Sequence, residues 1–237
     1  MASVVSRPTL LMVHGSWHGS WCWQRLRAEL SAMGWTTQTV DLPSAVRDDY
    51  PAERLPGMYD DARAVRDALD DVVGPVVVVA HSYGGVPVTQ AAVGAANVAC
   101  LIYLNSYLLD VGESVFTFQG SLPPPSSNGV LLPPRDASFS LYGDVSAEEA
   151  ADAASRLVPQ SIRAGLDEVT QAAWHTISSS YVICDNDQAL SPKAQKKMAV
   201  RAGVEHHLAS GHSPFLSMPG ELARLLIRIT DEIAMYR

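Results

Sequence analysis

A chain of 237 residues with 47% hydrophobic and 18% charged positions can bury one sizeable core and lacks the composition of general disorder. Its formal net charge of −8, with no basic run, argues against a nucleic-acid partner, which requires clustered lysine and arginine. Met1 to Pro8 has no cationic start leading into an apolar core, and Thr9 to Val13 is too short to span a bilayer, so the expectation is a cytoplasmic protein with no membrane association.

In chain order, Thr9 to Val13 reads as a strand ending at His14-Gly15. A helix follows, with Trp23, Leu26, Leu30 and Met33 at helical spacing and Gly34 as its stop. Trp35 to Val40 is a second strand, closed by Asp41-Leu42-Pro43, and Met58, Ala62, Val65, Leu69 and Val72 mark a second helix. Pro75 to Val79 is a fully apolar run, the pattern of a buried parallel strand. After it come Ala80-His81-Ser82-Tyr83-Gly84, a helix over Val86 to Ala96, and a fourth apolar strand over Asn97 to Leu104. Strands alternating with helices imply a parallel sheet with right-handed crossovers.

The alternation breaks near Asn105. Residues 107–176 carry proline clusters and short helical segments, one opened by a capping box from Ser146 to Glu149. A structureless loop of that length is unusual, so the segment reads as a mainly helical cap inserted between residues 1–106 and 177–237 of the core. Strand and helix resume with Ser180 to Cys184, a helix from Ser191-Pro192 to Gly203, a strand over Val204 to Ala209, and a closing helix from Pro219.

Ser82 stands between two small residues, Ala80 and Gly84, on a strand–turn–helix, the setting of a nucleophile elbow. A serine hydroxyl needs a base. Of seven histidines, His212, in the Gly211-His212-Ser213-Pro214 turn after a late strand, is best placed. The acid that orients it belongs after the preceding strand, where Asp187 is favoured over Asp185, with Asp110 a third option. An oxyanion hole needs two preorganised N–H donors. Tyr83, following the serine, supplies one, and Ser16, after the close-approaching Gly15, supplies the other.

The motifs Val13-His14-Gly15-Ser16-Trp17-His18-Gly19-Ser20-Trp21-Cys22-Trp23, Asp41-Leu42-Pro43-Ser44, Ala80 to Gly85, Asp185-Asn186-Asp187 and Gly211-His212 resemble the α/β-hydrolase superfamily. The narrower likeness is to its plant methylesterase, hydroxynitrile lyase and bacterial esterase group. The resemblance implies a mostly parallel, doubly wound sheet with a cap inserted after the sixth strand. It also implies Ser82 as nucleophile, His212 as base, Asp187 as its partner, and Ser16 and Tyr83 as oxyanion donors. Lyases of the group have a threonine after the opening histidine and a lysine after the catalytic one; here these are Gly15 and Ser213, which disfavours lyase chemistry.

The leading expectation is therefore a serine carboxylesterase acting through an acyl-enzyme on a small, partly hydrophobic ester. Phe116, Phe118, Leu122, Leu131, Leu132, Phe139, Leu141 and Trp174 of the cap are candidate pocket residues. The alternatives are a non-hydrolytic catalyst, by lyase or lactone chemistry, and a small-molecule receptor on the same scaffold. No cofactor or metal is expected. Cys22, Cys100 and Cys184 are widely spaced, no His or Cys cluster has ligand spacing, and there is no nucleotide-binding fingerprint. A homodimer through the cap or an edge element is left open.

Overall fold

Two buried runs from distant parts of the sequence lie side by side at the centre of the molecule: β1 (Thr9–Val13) and β3 (Val76–His81). The computed structural model describes residues 7–46, 55–122, 124 and 126–235. The first six residues, read above for a leader, lie outside these, as do Pro123 and Pro125 of the proline cluster. The other sheet strands are β2 (Thr37–Val40), β4 (Val98–Leu104), β7 (Ser179–Cys184) and β8 (Val204–Leu208). They form one six-stranded sheet in the order β2-β1-β3-β4-β7-β8, with every described pairing parallel.

Alternation along the strands explains the two layers. Leu11, Val13, Val76, Val78 and Ala80 face a core shared with α2 (Met58–Asp70) and α3 (Gly85–Ala91). Leu10, Met12, Val77 and Val79 face the opposite core, closed by α1 (Gln24–Ala32) and, at the C-terminus, α9 (Pro219–Met235). Strands buried on both faces must be apolar at every position, which is what the valine run supplies. Several boundaries differ from the sequence reading, and two of them lie beside the serine. The β3 strand continues through Ala80 and His81, which pair with Tyr103 and Leu104, and α3 stops at Ala91 because Gly94 turns the chain at a φ of 71°.

The cap lies between β4 and β7. Among the described residues it leaves after the fourth sheet strand, where the expectation set it after the sixth. It carries α4 (Val115–Gln119), β5 (Val130–Leu131), α5 (Ala137–Ser140), α6 (Ala147–Ser155), β6 (Gln160–Ser161) and α7 (Ile162–Leu166). The Ser146 hydroxyl accepts the Glu149 N–H at 3.2 Å, and the Ser146 N–H donates to the Glu149 carboxylate at 3.1 Å, the reciprocal bonds of the box expected there. The short β5–β6 antiparallel pair has no counterpart in the sequence reading; two-residue strands leave no periodicity to read. Leu141, Tyr142, Ala150 and Ala153 give the cap a small core of its own.

The cap is fastened to the sheet layer at several points. Arg201, just past α8 (Pro192–Ala199), grips Glu113 with both terminal nitrogens and donates to the Leu108 carbonyl at 2.8 Å. The Ser161 N–H donates to the Ser44 carbonyl and the Met58 N–H to the Asp167 carboxylate. No described helix is long and apolar enough to cross a membrane.

Candidate active site

The sheet order reverses between β1 and β3, because β2 lies to one side of β1 and β3 to the other. In open parallel sheets, ligands bind outside the strand C-termini at such a point. The loops leaving β1 and β3 here carry Ser16 and Ser82. Ser82 sits in a 3-10 turn, Ser82–Gly84, at a φ of 50°. Among the described residues, the non-glycine residues with positive φ are Ser82, Trp17 and Asn105, each just beyond the C-terminal end of a central strand. Strain of this kind persists only where surrounding structure fixes it, and it gathers at functional sites.

The packing around the turn shows what fixes it. A Cβ on Gly84 would lie 2.5 Å from the His14 carbonyl oxygen, and one on Gly85 would overlap that of Tyr107. A Cβ on Gly15 would come within 2.7 Å of the Ser82 Cβ. The β1 loop backbone therefore passes directly against the serine.

Both candidate oxyanion donors belong to peptide groups whose carbonyls are held from behind. In a trans peptide the N–H points away from the preceding C=O. The Gly15 carbonyl, whose peptide carries the Ser16 N–H, accepts the His14 Nδ1–H at 2.8 Å. The Leu42 N–H donates to His14 Nε2 at 3.0 Å, which fixes that tautomer. The Ser82 carbonyl, whose peptide carries the Tyr83 N–H, accepts the Tyr107 N–H at 3.0 Å and the Ser106 hydroxyl at 2.7 Å.

On the far side, His212 Nδ1–H donates to Asp187 Oδ2 at 2.8 Å, with both side chains buried. The same oxygen accepts Asn105 Nδ2–H at 2.8 Å and Gln195 Nε2–H at 3.1 Å. Asp187 Oδ1 accepts the N–H groups of Ala189 and Leu190 at 2.8 and 2.9 Å. Burial pushes the Asp187 carboxyl up, but the His212 charge and the bonds from His212, Asn105 and Leu190 outweigh it and leave it below its ordinary value. The His212 turn is pinned as well: the Gly211 N–H donates to the cap residue Asp144 at 2.6 Å, and the His212 carbonyl accepts His81 Nε2–H at 2.9 Å.

Ser82, His212, Ser16 and Tyr83 line one cavity of about 470 Å³ between the strand ends and the cap. Its cap wall includes Phe116, Leu131 and Leu141, three of the residues expected to face it. Phe118, Leu122 and Trp174 do not line it. Phe116 and Phe118 are two positions apart on α4, so they cannot share a face. Phe118 instead packs edge-on against Tyr107, ring centroids 6.0 Å apart. Trp174 packs on the sheet-side core and donates its indole N–H to the Leu109 carbonyl at 2.9 Å. Leu122, beyond the left-handed Gly120 that ends α4, is 91% exposed. Leu132 is also exposed, and Phe139 borders a separate crevice of about 280 Å³ beside His212. The two less favoured acids have other partners: Asp110 meets His175 at 3.0 Å and Asp185 meets His207 at 2.8 Å.

Sequence reasoning missed Asn105, Gln195 and His81 as supports of the Asp187–His212 pair. Asn105 follows the end of β4 and His81 closes β3 at the same sheet edge, which was the available signal. His18 lies in the loop that follows β1. In the structure it donates Nδ1–H to the Ser16 carbonyl at 2.8 Å and accepts the Tyr142 hydroxyl at Nε2, also at 2.8 Å. Burial pushes its imidazole down to about 3, so it is neutral near pH 7. All three cysteines are buried, and the described residues contain no group of three or more His, Cys, Asp or Glu able to hold a metal ion.

A parallel sheet of this order, with a serine on the β3 turn, a histidine after β8 and a cap inserted over the strand ends, is an α/β-hydrolase fold. Residues 10–225 match the Alpha/beta hydrolase family, and the chain belongs to it. Methylesterase 7 of Arabidopsis thaliana is 25% identical over an alignment covering 94% of this chain and 96% of that protein. Norfluorocurarine synthase 2 from Strychnos sp. is 23% identical, covering 98% of this chain and 99% of that one. The crystal structure of the methylesterase protein MES16 from Arabidopsis superposes with a TM-score of 0.80 at 25% identity, covering 94% of this chain and 99% of the other.

Proposed function

We propose that this protein is a serine hydrolase that cleaves a small, uncharged, partly hydrophobic carboxylic ester through an acyl-enzyme. The observation that carries the reading is the buried Asp187–His212 pair opening into the same cavity as Ser82. In this scheme the Ser82 oxygen attacks the ester carbonyl while His212 Nε2 takes the hydroxyl proton. The oxyanion so formed accepts the Ser16 and Tyr83 N–H groups. Collapse breaks the acyl–oxygen bond, and the imidazolium returns its proton to the departing alcohol. Water, deprotonated by His212, then attacks the acyl-enzyme; the acid leaves and Ser82 regains its proton. Asp187 holds the imidazole with Nε2 free and stabilises the imidazolium without itself taking a proton.

The cavity supports an uncharged ester. Its described lining contains no lysine or arginine to receive a carboxylate, and Val115, Phe116, Leu131 and Leu141 give it apolar walls. The likeness to proteins named as methylesterases points the same way. Lyase chemistry of the hydroxynitrile type is further disfavoured by Gly15. Its missing Cβ would overlap Ser82, so the threonine of the lyases has no room here without displacing the serine.

The test is hydrolysis of p-nitrophenyl esters from acetate to decanoate by the wild type beside Ser82→Ala. The expected result is a loss of about 10⁴-fold or more in kcat for the variant, with fluorophosphonate labelling confined to the wild type. Equal inertness of the two folded proteins would remove the hydrolase reading, and saturable ligand binding without turnover would then favour the receptor.

A further inference from the structure

Behind the cavity wall, a buried carboxylate gathers hydrogen bonds from separate parts of the chain. Asp61 lies on α2 and is fully buried. Its Oδ1 accepts the Ser44 N–H at 2.8 Å. Its Oδ2 accepts the Ser44 hydroxyl and, at 2.6 Å, the Tyr83 hydroxyl. Ser44 Oγ in turn accepts Gln160 Nε2–H, from cap strand β6, at 2.5 Å. Gln160 Oε1 accepts the Trp17 N–H at 3.1 Å.

The two ends of this chain of bonds are the informative part. One end is Tyr83, whose own N–H is a candidate oxyanion donor. The other is the peptide joining Ser16 to Trp17, immediately after the second donor; its carbonyl is already held by His18 and its N–H by Gln160. A carboxylate at this depth is costly, because burial penalises its charge and only hydrogen bonds offset that. An apolar residue would pack α2 onto the sheet without the penalty. What the carboxylate supplies and an apolar residue does not is a fixed direction for Tyr83 and for Ser44.

We propose that Asp61 is a positioning residue of the oxyanion hole, setting the Tyr83 N–H through the tyrosine ring and the Ser16 N–H through Ser44, Gln160 and Trp17. The inference rests on the acyl-enzyme reading above. It adds that the cap, through Gln160, is part of the device that holds the hole open to a carbonyl oxygen. Donors fixed beforehand need no rearrangement as charge develops, so their loss weakens binding of the transition state and leaves ground-state binding alone. Neither Asp61 nor Ser44 lines the cavity, so a change at either must act through the residues it holds.

The experiment compares wild type, Asp61→Asn and Ser44→Ala in p-nitrophenyl butyrate hydrolysis and in inhibition by a trifluoromethyl ketone, whose serine adduct places an oxyanion in the hole. For Asp61→Asn the expected fall in kcat is about 10- to 100-fold with KM within about twofold, and ketone affinity falls by a similar factor. Ser44→Ala shifts both quantities in the same direction by less. A folded Asp61→Asn with wild-type kcat and ketone affinity overturns the proposal, as does lost activity with unchanged ketone affinity. If Asp61→Asn does not fold, Ser44→Ala decides by the same criteria. Fluorophosphonate labelling of wild-type Ser82 separates this outcome from failure of the underlying reading: an unlabelled wild type ends both, whereas a labelled wild type with indifferent variants ends this proposal alone.

Discussion

Ser82, His212 and Asp187 were legible as single residues because each occupies a position that chain order defines. The serine follows an apolar strand, the histidine follows a late one, and the acid follows the strand between. Their supports were not legible, because a hydrogen bond between Asn105 and Asp187 joins residues 82 positions apart and leaves no mark on local spacing. The same holds for Ser106, whose hydroxyl, together with the Tyr107 N–H, holds the Ser82 carbonyl and with it the direction of the Tyr83 N–H. Ser106→Ala removes one of those two donors while leaving the backbone in place. We expect kcat for ester hydrolysis to fall by up to about 10-fold with little change in KM, the equivalent of one ordinary hydrogen bond. Steady-state kinetics on a single p-nitrophenyl ester checks it; a raised KM with unchanged kcat would place Ser106 in substrate binding instead.

The elements divide by how much of their surroundings they carry in their own sequence. The central strands β1, β3 and β4 are largely apolar on both faces, and α1 and α2 repeat with a clear stripe, so these strands and helices were readable in chain order. The cap was not. Its helices α4 and α7 have five residues each and α5 has four, too few to establish a stripe, and its aromatic residues were therefore assigned to the pocket by composition. Phe116 met that expectation and Phe118 did not, which is what a helical turn imposes on positions two apart. The turn between β3 and α3 is the opposite case, since its small residues announce close packing. Gly84→Ala would set a methyl group 2.5 Å from the His14 carbonyl oxygen and 2.8 Å from that of Val13, both backbone atoms that cannot swing aside. The elbow must shift against β1. A loss of roughly 2 kcal/mol or more is expected, together with loss of activity. Urea unfolding would measure it, and a Gly84→Ala variant of wild-type stability would show that the turn is looser than its contacts indicate.

At the scale of the whole molecule, Asp61 sets stability and organisation of the site against each other, and pH is the variable that separates them. Burial pushes its carboxyl from the ordinary 3.8 up to about 7, against the lowering effect of bonds from Ser44 and Tyr83; the charge of neighbouring Asp60 pushes the same way as burial. A group whose pKa is higher folded than unfolded stabilises the fold most below its unfolded value, and that contribution is lost as pH rises through the folded value. The native state is thus favoured by the neutral acid near pH 4 and loses that support by about pH 7. Each pH unit between those limits removes about 1.4 kcal/mol, a few kcal/mol at most in all. The ionised form, however, is the one that accepts the Ser44 and Tyr83 hydroxyls together. Other groups titrate too: Glu113, held low chiefly by its bond from Arg201, contributes stability that falls away in acid. Comparing wild type with Asp61→Asn at each pH cancels those contributions, because the two proteins share them. From about pH 5 to about pH 8 the melting temperature of the wild type should fall relative to the variant, while the ratio of wild-type to variant kcat should rise. Parallel curves in both measurements would mean that Asp61 does not change its charge over that range, and that the hydrogen bonds of Ser44 and Tyr83 are enough to keep it ionised throughout.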